Sequence, residues 1–79
     1  MKVTVYVKPK KTVLDPQGAA VENAMKHLGF SAASEVRIGK TIEFEADGSD
    51  DQAFRESLDK VCDGLLCNPV IEDYSYEIE

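Results

Sequence analysis

Asn68-Pro69 separates two kinds of secondary structure near the end of this 79-residue chain. The residue before a proline is disfavoured in the helical region of backbone space, so a helix that reaches this point has to end. Apolar residues at helical spacing precede the pair, whereas Tyr74, Tyr76 and Ile78 alternate with polar residues after it. The chain therefore ends in a helix followed at once by a strand.

Two other stretches carry strand patterns. Valines at positions 3, 5 and 7 alternate with polar residues over residues 2–8, the period of a strand with one buried face. Residues 35–46 predict a β-hairpin that turns near Gly39, because glycine supplies the positive φ of tight hairpin turns. One long bent strand is the alternative for residues 35–46.

The first helix has recognisable signals at both ends. Asp15 is placed to cap it, with Pro16 at the first helical position. Gly29 sits where a left-handed residue ends a helix, and Phe30 then folds back toward Met25 in a Schellman closure. The predicted apolar stripe consists of Val21, Ala24, Met25 and Leu28.

The second helix follows a polar turn at residues 47–51. Ser49 and Gln52 fit a capping box, because a serine side chain and a glutamine three residues later can satisfy each other's backbone N–H groups. The predicted apolar stripe of this helix consists of Phe54, Leu58, Val61, Cys62 and Leu65, widened by Leu66 and Cys67.

The resulting order is β-α-β-β-α-β. It predicts a single α+β domain over residues 1–79, a ferredoxin-like antiparallel four-stranded sheet with two helices on one face. Such a sheet leaves its other face and two edge strands uncovered, so contacts with other chains are expected there. Tyr6 and Ile71 are candidates for those contacts.

Charge and composition narrow the class of partner. The net charge of −6 argues against nucleic-acid binding, which relies on a basic surface. Residues 1–40 carry a net charge of +4 and residues 41–79 one of −10, an asymmetry that suits steering of a protein partner or pairing of two copies. If folding interleaves the two halves, positive and negative charges mix on the surface, and the asymmetry then contributes neither to steering nor to pairing.

The chain has no apolar run long enough to cross a bilayer, so a cytoplasmic protein without membrane contact is expected. Cys62 and Cys67 are five residues apart on one predicted helix, which suits neither a disulfide nor the usual metal-ligand spacings. They are expected to be reduced core thiols.

No motif for catalysis stands out. His27 is the only histidine and has no partner that the sequence identifies, and no carboxylate lies in an apolar context that would raise its pKa for acid or base chemistry. There is no glycine-rich phosphate loop. We therefore expect no catalytic residue, no bound cofactor and no metal site in this chain.

Three blocks, Val13 to Gly18 (VLDPQG), Val36 to Lys40 (VRIGK) and Asn68 to Tyr74 (NPVIEDY), give the chain a family resemblance. It resembles the small PurS subunit of phosphoribosylformylglycinamidine (FGAM) synthase over nearly its whole length. The resemblance implies a non-catalytic accessory subunit that joins a PurQ-type glutaminase subunit to a PurL-type synthetase subunit, which uses ATP and Mg. It also implies a homodimer or a dimer of dimers.

The residues that match the family blocks are candidates for subunit interfaces. Arg37 suits an interface because its planar guanidinium can pair with a carboxylate or phosphate through two hydrogen bonds. The alternative for Arg37 is a solvated position in the hairpin, and the alternative for the helix-capping block and the last block is a structural role. The candidates are Asp15, Gly18, Arg37, Lys40, Asn68, Glu72 and Tyr74.

One interpretation from another class stays open at this point. Ferredoxin-like domains also serve as homodimeric regulatory modules that bind a small molecule at the dimer interface, with little local sequence signal. Association with larger subunits would favour the accessory role, whereas a ligand-induced rise in melting temperature without them would favour the regulatory one.

Overall fold

A computed structural model describes residues 1–79. Its elements are β1 (Lys2–Pro9), α1 (Pro16–His27), β2 (Lys40–Glu45), α2 (Gln52–Val61) and β3 (Glu72–Ile78), and a π-helical turn (Cys62–Leu66) continues α2. The three strands form one antiparallel sheet in the order β2-β1-β3. The α+β class and the two helices are confirmed.

The predicted four-stranded sheet is wrong, because residues 35–39 form no strand. Glu35 has a φ of 56°, and the N–H groups of Val36 and Ile38 donate to side chains rather than to a neighbouring strand. A hairpin needs those N–H groups for its own ladder. The β-α-β-β-α-β order is therefore reduced to β-α-β-α-β, with β2 left as a free edge.

The core lies between one face of the sheet and α2. Val3, Val5 and Val7 point into it as predicted, and Leu58 is buried against them. Tyr74, Tyr76 and Ile78 pack around this cluster from β3, which confirms their inward face. Only six apolar side chains are buried, so the hydrophobic stabilisation of this domain is small.

The two cysteines are part of that core. Both are buried and unbridged, as the sequence predicted, and burial raises the pKa of each thiol. The N–H of Cys67 donates to the carbonyl of Cys62 at 2.8 Å, the spacing of a π turn. This wider turn places Leu66 and Cys67 against the core and leaves Leu65 exposed, so the inward position predicted for Leu65 is wrong.

The start of α2 also differs in detail from its prediction. Asp51, not Ser49, caps the helix: its Oδ1 accepts a hydrogen bond of 2.8 Å from the N–H of Phe54. An aspartate directly before the first turn competes successfully for the free N–H groups there. The predicted end of the helix before Pro69 is confirmed.

Helix α1 has the predicted ends but not the predicted position. Asp15 caps it, Gly29 has a φ of 88°, and the N–H groups of Gly29 and Phe30 donate to the carbonyls of Lys26 and Met25, a Schellman closure. No residue of α1 belongs to the core, so the expectation of two helices on one face of the sheet is wrong.

The protein is elongated as a result. Its extents are 48 × 25 × 15 Å, and its radius of gyration of 15.9 Å exceeds the value of about 12 Å typical of a folded chain of this length. None of its helices combines the length and the apolar character that crossing a bilayer requires.

Candidate functional site

Asp15, Glu22 and Arg37 join α1 and the residues just before it to residues 36–38, and we call these three side chains the α1 clasp. Asp15 does two things at once. Its Oδ1 accepts from the N–H of Gly18 at 2.9 Å, which caps α1, and its Oδ2 accepts from the N–H of Ile38 at 2.8 Å. One carboxylate therefore fixes both the start of the helix and the segment that leads into β2.

Arg37 reinforces the same junction from the other direction. Its Nη1 donates to the carbonyl of Val13 and its Nη2 to the carbonyl of Lys11, each at 2.8 Å. The planar guanidinium presents two N–H donors in a fixed geometry and can bond both carbonyls at once, whereas the ammonium of a lysine has no such fixed pair of donors. Arg37 thus holds the chain that enters α1; a contact with a partner subunit stays a prediction.

Glu22 was not singled out in the sequence, although it completes the clasp. Its Oε1 accepts from the N–H of Val36 at 3.2 Å, and its Oε2 lies 3.5 Å from Nζ of Lys26. The only signal in the sequence is the four-residue spacing of Glu22 and Lys26, which is common on exposed helix faces. The contact with Val36, 14 residues away, has no sequence signature.

Two glycines allow the close approaches that the clasp requires. A Cβ on Gly18 would overlap the carbonyl oxygen of Val36, and a Cβ on Gly39 would overlap that of Val7. Gly18 is also the one buried residue of α1. Residues 36–39 thus approach α1 at Gly18 and the end of β1 at Gly39, and at both points the space admits only glycine.

The clasp carboxylates have lowered pKa values. The pKa of Asp15 is lowered first by the N–H of Ile38 and then by that of Gly18, and that of Glu22 first by the N–H of Val36. Hydrogen bonds to a carboxylate favour its ionised form. Both groups are solvent-accessible.

The sign of the pH dependence follows from these shifts. A carboxylate whose pKa is lower in the folded protein stabilises it above the unfolded pKa, and that contribution is lost as pH falls through the folded pKa. We expect the Ile38 amide signal in NMR spectra to titrate with a midpoint below about 3.9, the pKa of an unperturbed aspartate. The Asp15→Asn variant should lack this titration. If the Ile38 amide signal still titrated in that variant as in the wild type, the titration would not be that of Asp15.

Asn68, Glu72 and Tyr74 lie together at the turn from α2 to β3. Asn68 Oδ1 accepts from the N–H of Val70 at 3.1 Å, and Glu72 Oε1 accepts from the N–H of Asn68 at 2.8 Å. The hydroxyl of Tyr74 donates to Oδ1 of Asp59 at 3.2 Å, and burial, followed by that hydrogen bond, raises the pKa of Tyr74 to about 12. These bonds fix the turn's geometry.

Lys40 belongs to neither group. It is exposed at the start of β2, opposite Val7 of β1. The seven interface candidates therefore lie at the clasp (Asp15 and Arg37, with Gly18 packed against it), at the turn before β3 (Asn68, Glu72 and Tyr74), or, for Lys40, apart from both.

The uncovered face of the sheet is polar and mostly acidic. Tyr6 is at its centre, where its hydroxyl donates to Oε2 of Glu77 at 3.2 Å. Its pKa is raised, first by desolvation and then by that hydrogen bond and by neighbouring carboxylates. Thr4 is flanked by Glu43 and Glu77 in the strand register. The face is suited to polar contact rather than to burial in a second core.

Fold and clasp together define a class of protein. In this small α+β domain the conspicuous polar residues hold backbone segments in place, and a whole helix lies outside the core. The domain brings together no group of three histidine, cysteine, aspartate or glutamate side chains suited to holding a metal ion. The class is that of a small α+β domain with one helix outside its core.

Comparisons with known proteins give the family. Residues 2–79 match the family described as PurS: Phosphoribosylformylglycinamidine (FGAM) synthase. The PurS subunit of Bacillus subtilis is 45% identical over 78 residues, 99% of this chain and 92% of that protein. The subunit of Synechocystis is 45% identical over 74 residues, 94% and 74% of the two chains.

Solved structures agree with this assignment. The crystal structure of B. subtilis PurS has a TM-score of 0.86 at 45% identity and covers 99% of this chain and 96% of that one. A chain in the structure of PurLQS from Thermotoga maritima has a TM-score of 0.83 at 29% identity, with 96% and 93% covered. The chain belongs to the PurS family and is a subunit of FGAM synthase, a ligase of purine biosynthesis.

Proposed function

We propose that this chain is the non-catalytic accessory subunit that joins a PurQ-type glutaminase subunit to a PurL-type synthetase subunit. The observation that carries the proposal is the elongated domain with α1 outside its core, on a chain whose family is PurS. The PurLQS structure of T. maritima, which contains a similar chain, supports the choice of partners. The regulatory-module alternative gains no support, because the relatives compared are all named as FGAM synthase subunits.

The chemistry of ammonia transfer explains the need for such a subunit. Ammonia released from glutamine has to reach a second active site before it is protonated or lost to water, which requires two subunits held in a fixed and sealed geometry. A rigid adapter supplies that geometry without a nucleophile or a metal. In this proposal ATP and Mg are used by the synthetase subunit and this chain binds no cofactor.

The interface candidates have two kinds of role in the proposal. Asp15, Gly18 and Arg37 act by fixing the direction of α1, whose outer surface is available for contact. Lys40, Asn68, Glu72 and Tyr74 contact partner subunits or shape the surface that does. In this proposal the complex works in the cytoplasm.

Reconstitution from purified subunits tests the proposal. FGAM formation is measured with the synthetase and glutaminase subunits, with and without this chain, using either glutamine or ammonium chloride as nitrogen source. Without this chain we expect the glutamine-supported rate to fall about 100-fold, because misplaced sites no longer transfer ammonia. The ammonium-supported rate is the internal control and is expected to be largely retained. Full glutamine-supported synthesis by the two larger subunits alone would overturn the proposal.

A further inference from the structure

An open cleft beside the turn before β3 has a thiol in its wall. The cleft has a volume of about 340 Å³, and Cys67 lines it together with charged residues that include Lys10, Asp63, Glu72 and Asp73. Cys67 is 6% exposed, whereas Cys62 is fully buried. A small reagent that enters the cleft therefore reaches the sulfur of Cys67 first.

The π turn brings the two cysteines within bonding range of each other. In an α-helix, residues five apart are turned by about 140° and separated by about 7.5 Å along the axis, which argues against a disulfide. Here the N–H of Cys67 donates to the carbonyl of Cys62 at 2.8 Å, and backbone bond lengths then limit the distance between the two Cα atoms to about 6.7 Å. Disulfides span Cα distances of about 4.4 to 6.8 Å. The backbone of the π turn is thus compatible with a disulfide.

The two side chains also share their surroundings. Both belong to the same cluster of buried residues. The pKa of Cys62 is raised first by burial, then by Asp59 and by Cys67, as expected for neighbouring thiols. Two cysteines that share one turn and one cluster, and that differ in access, suit consecutive reactions.

We propose that the cleft is a redox modification site, at which a low-molecular-weight disulfide reacts with Cys67 and Cys62 then displaces it to form a disulfide within the chain. The product ties the end of α2 covalently to the residue that precedes Asn68. Disulfides of cytosolic proteins are usually transient, so the reduced form is the resting state. The inference concerns this chain alone and does not depend on the proposed function.

The reaction needs no group beyond the disulfide reagent RSSR. The thiolate of Cys67 attacks one sulfur of RSSR, so that a bond from Cys67 to SR forms, the S–S bond of the reagent breaks and RS⁻ leaves. The thiolate of Cys62 then attacks the sulfur of Cys67 and releases the second RS⁻. The protons of the two cysteines pass through water to the two RS⁻ ions. Two protein thiols are oxidised, and one RSSR is reduced to two RSH.

Charges around the cleft decide the rate and the preferred reagent. The pKa of Cys67 is raised first by burial and then by Glu72, Asp63 and Asp73, whereas Lys10 opposes the shift. Because the thiolate is the nucleophile, the exchange is slow at neutral pH. Three carboxylates beside one lysine also favour a cationic reagent over an anionic one.

Mass spectrometry of the full chain tests the inference. The reduced protein is incubated with cystamine, a small dicationic disulfide, at about pH 8.5, where a free thiol is half ionised. Remaining thiols are then blocked with N-ethylmaleimide. We expect the wild-type chain to lose the mass of two hydrogen atoms, to keep no cystamine-derived group and to have no thiol left to block. Dithiothreitol should restore both thiols, and circular dichroism establishes that the chain stays folded.

Two matched variants separate the roles of the cysteines. Cys62→Ala removes the displacing thiol, so it is expected to keep one cystamine-derived group on Cys67. Cys67→Ala leaves only the fully buried thiol, which reacts only after local opening, so its modification is expected to be at least about tenfold slower than that of Cys62→Ala. In guanidinium chloride the two variants should react at the same rate, which assigns the difference to the folded structure.

Three outcomes would overturn the inference. The first is a wild-type chain that retains both thiols or keeps the cystamine-derived group under these conditions. The second is a disulfide that forms only between chains, seen as a doubled mass without reductant. The third is a folded Cys67→Ala variant that reacts as fast as Cys62→Ala.

Discussion

Gly18→Ala is expected to detach α1 from residues 36–38. The added Cβ overlaps the carbonyl oxygen of Val36, a backbone atom, and comes within 2.7 Å of Oδ2 of Asp15, the atom that accepts from Ile38. Overpacking of this kind costs about 2 kcal/mol. Hydrogen exchange is the direct measurement, because the amides of Val36 and Ile38 should lose protection while those of β1 keep theirs.

The chain offers a matched control for this change. Gly64 also lies in a helical segment, but a Cβ at position 64 has no heavy atom within 4 Å. Gly64→Ala should therefore leave the exchange of Val36 and Ile38 unchanged, and removing a glycine from a helical segment should if anything stabilise the protein. Equal protection of these amides in Gly18→Ala and wild type would show that α1 is not held as described.

Leu58→Ala is expected to bring the domain close to unfolding. Leu58 is buried and is the central α2 contribution to a core of six residues. Truncation of a buried leucine costs about 3 kcal/mol, whereas a domain of this length has only about 4 to 12 kcal/mol of unfolding free energy. A decrease in melting temperature of roughly 12 to 24 °C should follow at a fixed protein concentration.

Leu65→Ala is the control for Leu58→Ala. Leu65 lies in the π-helical turn that follows α2 and is mostly exposed. Its truncation therefore creates no cavity in the core. The melting temperature should change by no more than a few degrees, as for surface positions in general. Similar losses for the two variants would indicate that the π turn does not rotate Leu65 out of the core.

Local signals in the sequence were sufficient for the parts of the fold that depend on near neighbours. The alternation of three valines predicted the buried face of β1, and Asp15, Gly29 and Phe30 predicted both ends of α1. Asn68-Pro69 predicted the end of the second helix. Capping, Schellman closure and strand alternation act over a few residues, so the sequence contains them directly.

The clasp depends on contacts that no local pattern contains. The N–H groups of Val36 and Ile38 donate to side chains 14 and 23 residues away. The apolar pattern of residues 35–46 predicts a strand, but it does not show that side chains far along the chain already accept from these N–H groups. Arg37 was expected at an interface, yet its guanidinium hydrogen-bonds to backbone carbonyls within the chain. Whether any of the seven candidates contacts a partner subunit stays a prediction.

The sequence by itself determined the α+β class, the buried faces of β1 and β3, the ends of α1 and the PurS family, because period, capping and motif are properties of neighbouring residues. Tertiary structure alone decided that the sheet has three strands and that α1 lies beyond the core. The physical reason is competition for backbone N–H groups. Carboxylates of Asp15 and Glu22, brought close only by folding, take the hydrogen bonds that a fourth strand would have used.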